Sequence, residues 1–164
     1  MILNTTHFGE LVIDESSAVE FPQGLPGFED CRRFAALEHP AHEGLIFLQS
    51  MERPDLCFPA LPVKAVRHDY TLSMTPEDRE VLGWKEDRPP CIGVEVAALA
   101  ILSFEPDRPP TANLLAPLVM DIATRRSVQA IRPDAIYSCQ EPLVLRQGRT
   151  ECVVPETPAE AICS

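Results

Sequence analysis

The sequence predicts an all-β, mainly antiparallel fold: a compact, β-barrel-like single domain with one short surface helix. Three observations carry the prediction. The chain holds 17 prolines in 164 residues, and proline interrupts helices and is excluded from most sheet interiors. They recur where strands would end, at Pro40, Pro54, Pro59, Pro62, Pro89-Pro90, Pro109-Pro110 and Pro117. Between them lie short apolar or β-branched runs bounded by turn residues, the pattern of strands. The third observation is the run Phe21-Pro22-Gln23-Gly24-Leu25-Pro26-Gly27-Phe28-Glu29. It sets two prolines and two glycines between large apolar anchors, which encodes a specific rigid turn and excludes both helix and central strand.

Taken in order, residues 10–14, 17–21, 45–49 and 70–74 read as strands. Residues 91–104 form the longest apolar run; two prolines precede it and Pro106 follows, so it reads as a long buried strand despite its alanines. Residues 118–122 and 128–131 read as a hairpin around Thr124-Arg125-Arg126-Ser127. The single helix starts at Thr75, a capping residue followed by Pro76 at the first helical position and Asp78 three residues on, and it stops at Gly83. Glu77, Asp78 and Glu80 would face solvent. The domain is expected to span residues 1–143, and residues 144–164, a Pro/Glu/Ala-rich stretch, to form a flexible tail.

Composition narrows the function. The formal charge is -11, with two lysines and twelve arginines scattered along the chain. Phosphate neutralisation needs clustered cations, so direct nucleic-acid binding is disfavoured and a basic protein partner is the natural complement. No apolar run is long enough to span a membrane, and the start at Met1-Ile2-Leu3-Asn4 lacks a signal peptide, so a cytoplasmic protein is expected. The six cysteines form no CxxC pair, and free thiols are expected.

Chemistry-bearing clusters are weak. His39-Pro40-Ala41-His42 with Cys31 upstream could be read as metal ligands, but the spacing fits no common structural zinc site, and a solvated loop is the simpler reading. Cys57 and His68 are the least implausible nucleophilic pair, against a Cys57 that merely fills core. No phosphate-cradling glycine loop is present. No catalytic, cofactor or metal residue is therefore assigned.

Three segments in order are more specific than any of these. They are the turn nonapeptide; Phe47-Leu48-Gln49-Ser50 with Pro54-Asp55 and Phe58 after it; and Thr111-Ala112-Asn113-Leu114-Leu115-Ala116-Pro117-Leu118-Val119-Met120-Asp121, continuing through Thr124-Arg125-Arg126 to Gln129-Ala130-Ile131. Together they resemble the flagellar assembly factor FliW family over about residues 8–143. Asp121 and Ser127 depart from it, where the family tends to carry Asn and Gly, so a different hairpin turn is expected; Lys64 to His68 is also more basic than usual, while Asp69-Tyr70 fits. The resemblance implies a non-enzymatic, β-barrel-like monomer that binds the RNA-binding regulator CsrA and relieves its repression of flagellin translation, with flagellin competing for binding. A small ligand-binding barrel, an unrecognised enzyme or a flagellin secretion chaperone are the alternatives. Candidate protein-binding residues are Pro22, Gly24, Leu25, Pro26, Gly27 and Phe28 of the turn, Asp69, Tyr70, Glu77, Asp78 and Glu80, and Asn113. Each has a plainer reading: the turn as barrel closure, the acids as a solvated face, Asn113 as the cap of its loop.

Overall fold

The computed structural model describes residues 1–143; the expected tail, residues 144–164, lies outside the described residues. The strands in chain order are β1 (Ile2–Thr5), β2 (Gly9–Val12), β3 (Val19–Glu20), β4 (Arg33–Glu38), β5 (Ile46–Ser50), β6 (Cys57–Pro62), β7 (Val96–Ser103), β8 (Thr111–Ala112), β9 (Leu118–Asp121), β10 (Ser127–Gln129) and β11 (Glu141–Pro142). All strand pairs are antiparallel. A hairpin, β1-β2, stands apart from a nine-stranded sheet ordered β10-β9-β7-β6-β5-β4-β3, with β8 and β11 branching from β7. The sheet curls until Glu20 N–H meets Arg125 O at 3.0 Å beside a single parallel bridge, Glu20 to Arg126. That one contact leaves an open, barrel-like sheet, not a closed barrel.

Strand alternation divides the core. One sheet face buries Phe34, Leu48 and Leu118 with Val19, Phe21, Leu25 and Cys31, the turn nonapeptide forming the cover. The opposite face buries Leu61, Val96, Ala98, Ala100, Leu102 and Val119 beneath Tyr70, Leu72, Met74, Leu82 and Leu114. Hairpin β1-β2 covers Ala35 on β4 through Leu3 and Ile13.

The helix α2 (Pro76–Leu82) forms as its sequence predicts: Thr75 Oγ1 accepts from Asp78 N–H at 3.1 Å, and Gly83 ends it at φ 82°. A one-turn helix, α1 (Val63–Val66), precedes it. Strand 70–74 does not form. Tyr70, Leu72 and Met74 are buried there in an extended segment without a ladder, so periodicity reported burial and not pairing. The strand expected over 91–104 shortens to β7, because Val94, Glu95 and Val96 N–H all point at Cys91 O and Gly93 turns the chain at φ 88°. Pro59, expected at a strand end, sits inside β6 opposite Phe47. Ser50 N–H bonds Leu56 O, so alternation turns the Pro59 nitrogen away from β5, and the β7 ladder begins only at Ala60.

The hairpin turn between β9 and β10 takes its positive φ at Arg125, 63°. Asp121 Oδ1 accepts from Ala123 and Thr124 N–H at 2.9 and 2.8 Å. An Asn carbonyl could accept the same bonds, so either residue at position 121 suits this turn, and the positive φ falls on Arg125 and not on Ser127.

Candidate functional site

The nonapeptide is two nested turns. Gly24 N–H bonds Phe21 O at 2.9 Å, and Phe28 N–H bonds Leu25 O at 2.7 Å around Pro26 and Gly27, the latter at φ 85°. Phe21 and Leu25 are core; Phe21 packs edge-on to Phe34 at 5.5 Å, and Phe28 to Phe58 at 5.4 Å. Gly24, at φ 68°, lies so close to the backbone of Glu29 that a Cβ would stand 2.6 Å from its Cα. Only Pro26, Gly27 and the edges of Pro22, Gly24 and Phe28 reach the surface, beside exposed Gln23, Glu29 and Asp30.

The second motif is explained by a side chain. Gln49, fully buried, sets Nε2 at 3.1–3.3 Å from the carbonyls of Ser50, Arg53, Pro54 and Leu56, which share its two N–H hydrogens, and Ser50 Oγ accepts from Glu52 and Arg53 N–H. Gln49 thus staples the β5-β6 turn. In the third motif Asn113 Oδ1 caps its loop by accepting from Ala116 N–H at 3.0 Å.

The remaining candidate residues separate. Tyr70 is completely buried; its hydroxyl donates to Leu114 O at 3.0 Å, its ring stacks on Tyr137 at 4.4 Å, and it offers no surface to a partner. Leu25 is likewise enclosed. Asp69 is exposed and bonded to Arg67 at 3.4 Å. Glu77 and Glu80 are exposed on α2, whereas Asp78 is half-buried, and that burial pushes its carboxyl above the ordinary range. The structure thus joins Pro22, Gly24, Pro26, Gly27 and Phe28 into one surface and keeps Asp69, Glu77 and Glu80 as separate exposed acidic positions.

Sequence reasoning missed one concavity. His7, Phe8, His39, His42, Phe47, Cys57 and Pro59 line a cleft of about 320 Å³ on the outer face of β5 and β6. Three of the chain's four histidines meet there from two loops 32 positions apart, which no spacing rule would join. Cys31 is not among them; it is buried in the opposite face. His39 Nδ1 accepts from Ala41 N–H at 3.1 Å, which occupies one of its ligand positions. Among the described residues no group of three or more His, Cys, Asp or Glu is arranged to hold a metal. Cys57 lines this cleft, while His68 is exposed beyond α1. Burial pushes the Cys57 thiol up to about 11, the wrong direction for a nucleophile.

Cys31, Cys57 and Cys139 are free thiols, but Cys91 is disulfide-bonded. The expectation of free thiols is corrected there, because the absence of CxxC spacing says nothing about pairs made in space. Cys152 and Cys163 lie outside the described residues. Of these three thiols, modification mapped by mass spectrometry at pH 7.5 should find exposed Cys139 labelled first, Cys57 at least tenfold more slowly, and Cys31 only on unfolding.

The family model for FliW protein matches residues 2–143. The chain belongs to the FliW family. It is 33% identical over 138 residues to the flagellar assembly factor FliW of Syntrophotalea carbinolica, covering 84% of this chain and 94% of that protein. It is 31% identical to the one from Bdellovibrio bacteriovorus, covering 99% and 88%. A crystal structure of the flagellar assembly factor FliW superposes with a TM-score of 0.74 at 26% identity, covering 90% of this chain and 99% of that one. The matched region coincides with the described domain, so the family's fold accounts for both sheet faces and the motif-bearing turns.

Proposed function

We propose that this FliW-family chain is a non-enzymatic, cytoplasmic regulator of flagellar assembly that binds a CsrA-type translational regulator, relieves its repression of flagellin translation, and releases it when flagellin competes. The observation that carries the reading is the family match across residues 2–143, the whole described domain. The charge of -11 supports it, since an acidic surface speeds encounter with a basic RNA-binding partner and disfavours RNA itself. The raised Cys57 thiol leaves that residue no nucleophilic role, in keeping with a binding protein. The free chain is a monomer in this reading.

The test is direct titration of a purified CsrA-type protein with this chain, followed by addition of flagellin. Association should slow as salt rises, because the field reaches only about 8 Å at physiological ionic strength. Asp69→Lys with Glu80→Lys should lower the association rate while leaving the melting temperature in place. Absence of binding at low salt, or a complex that persists unchanged in saturating flagellin, overturns the regulatory reading. Flagellin binding without any CsrA binding would make the chain a flagellin chaperone instead.

A further inference from the structure

Hairpin β1-β2 is a two-stranded sheet with no neighbour on either edge among the described residues. Its open end is a bonded pair, Met1 N to Ile13 O at 3.0 Å and Ile13 N–H to Met1 O at 2.9 Å. Antiparallel ladders alternate bonded and non-bonded pairs. Leu3 and Leu11 are therefore bonded, as are Thr5 and Gly9, while Ile2 with Val12 and Asn4 with Glu10 turn their N–H and C=O groups outward. Among the described residues no backbone bond reaches Glu10 or Val12 from that side. The side chains there are open as well: Val12 is 84% exposed and its cross-strand neighbour Ile2 62%, the most exposed apolar pair in register in the fold.

We infer that the outer edge of β2, Gly9 to Val12, takes up an extended segment of a partner protein as a third strand, with an apolar and a basic side chain two residues apart on its outward face. An unpaired edge is a template for strand addition; main-chain bonds supply the attraction and alternate side chains the selectivity. Glu10, Val12 and Asp14 share the outward face, so an apolar side chain would extend the Ile2/Val12 pair there and a lysine or arginine two residues along the segment would stand beside Glu10. Residues 1–52 carry nine acidic side chains against Arg32 and Arg33 alone, and two chains of charge -11 repel. A basic segment therefore fits this edge and a second copy does not. The inference stands on the edge itself and does not depend on the partners proposed above.

The probe is a capped octapeptide that repeats valine, threonine, lysine and threonine, so that valine and lysine alternate on one face, titrated into the isotope-labelled full chain and followed by nuclear magnetic resonance. The expected result is shift changes centred on the Glu10 and Val12 amides, with their hydrogen exchange slowed at least tenfold at saturation. The same peptide with glutamate in place of lysine should bind at least tenfold more weakly. Val12→Pro removes one outward N–H while sparing the bonded β1-β2 pairs, and should weaken binding at least tenfold with other resonances unmoved; should that variant not fold, the exchange result on the unaltered chain decides. Shift changes centred elsewhere, equal binding of the acidic peptide, an unaffected folded Val12→Pro variant, or sedimentation showing that a second copy occupies the edge would each overturn the inference.

Discussion

Gly24→Val should lower stability by on the order of 4 kcal/mol, the sum of backbone strain and overpacking, and the variant should melt roughly 10 °C or more below the parent. Two independent obstacles act at this position. Its φ of 68° is in the left-handed region, and a Cβ would stand 2.6 Å from Glu29 Cα and 2.7 Å from Glu29 O. Backbone cannot rotate aside as a flexible side chain can. Relief would require opening the Phe21 to Glu29 turn, which holds Phe21 and Leu25 in the core. Gly27 is the matched control: its φ is 85°, yet nothing lies within 4 Å of a Cβ there. Gly27→Val should therefore cost only the conformational strain, about 1–3 kcal/mol. Gly24→Ala should already show most of the steric loss, whereas Gly27→Ala should be mild. Thermal unfolding of the four variants checks the ordering, and equal losses at the two glycines would show that the close approach to Glu29 is not maintained in solution.

Such elements were legible because their geometry is written locally. A turn requiring positive φ names its glycines, and a capped helix names Thr75 and Gly83. The motif around Gln49 was visible as a pattern, but its cause, one amide reaching four carbonyls of the following turn, depends on the chain folding back. What sequence could not show was pairing between distant segments. Residues 70–74 alternate as a strand does, yet no neighbour presents a free edge to them; Pro59 reads as a strand end, yet its missing N–H falls where no ladder bond is called for. The same limit governs the surfaces. The turn residues cluster because they are consecutive, whereas the histidine-lined cleft and the free edge of β2 arise from how the hairpin is placed on the sheet. Tyr70 fits the motif as a surface residue, yet it is buried in the cluster that holds Leu114 and stacked on Tyr137, partners distant in sequence.

Arg132→Met should destabilise the fold by roughly 2–3 kcal/mol, within the range for breaking a buried ion pair and its hydrogen bonds, even though the replacement is apolar and of similar length. The Arg132 side chain is 2% exposed, and its Nε is 2.8 Å from Asp134 Oδ1. Its second contact with that carboxylate is 3.0 Å, and it also donates to Thr71 O and lies 3.5 Å from Tyr70 Oη. The guanidinium faces the Tyr137 ring at 4.8 Å and the Tyr70 ring at 5.5 Å, an arrangement that a planar, permanently charged group suits and methionine does not. Removing it strands Asp134 and the Thr71 carbonyl and loosens the stacked tyrosines that fasten residues 132–137 to residues 70–71. Lysine should rescue little, since it lacks the fork that meets both carboxylate oxygens. The pair also sets an acid limit. The hydrogen bond from Arg132 holds the Asp134 carboxyl below its ordinary value, so its folded pKa lies under its unfolded one. Its contribution is present in full above the unfolded value near pH 4 and is lost as pH falls through the folded value. Between about pH 4 and pH 2, the parent should therefore lose melting temperature more steeply than Asp134→Asn, and the two curves should converge at the acid end. Parallel curves across that window would show that Asp134 titrates alike in the folded and unfolded chains, and that Arg132 is held by the tyrosines and Thr71 alone.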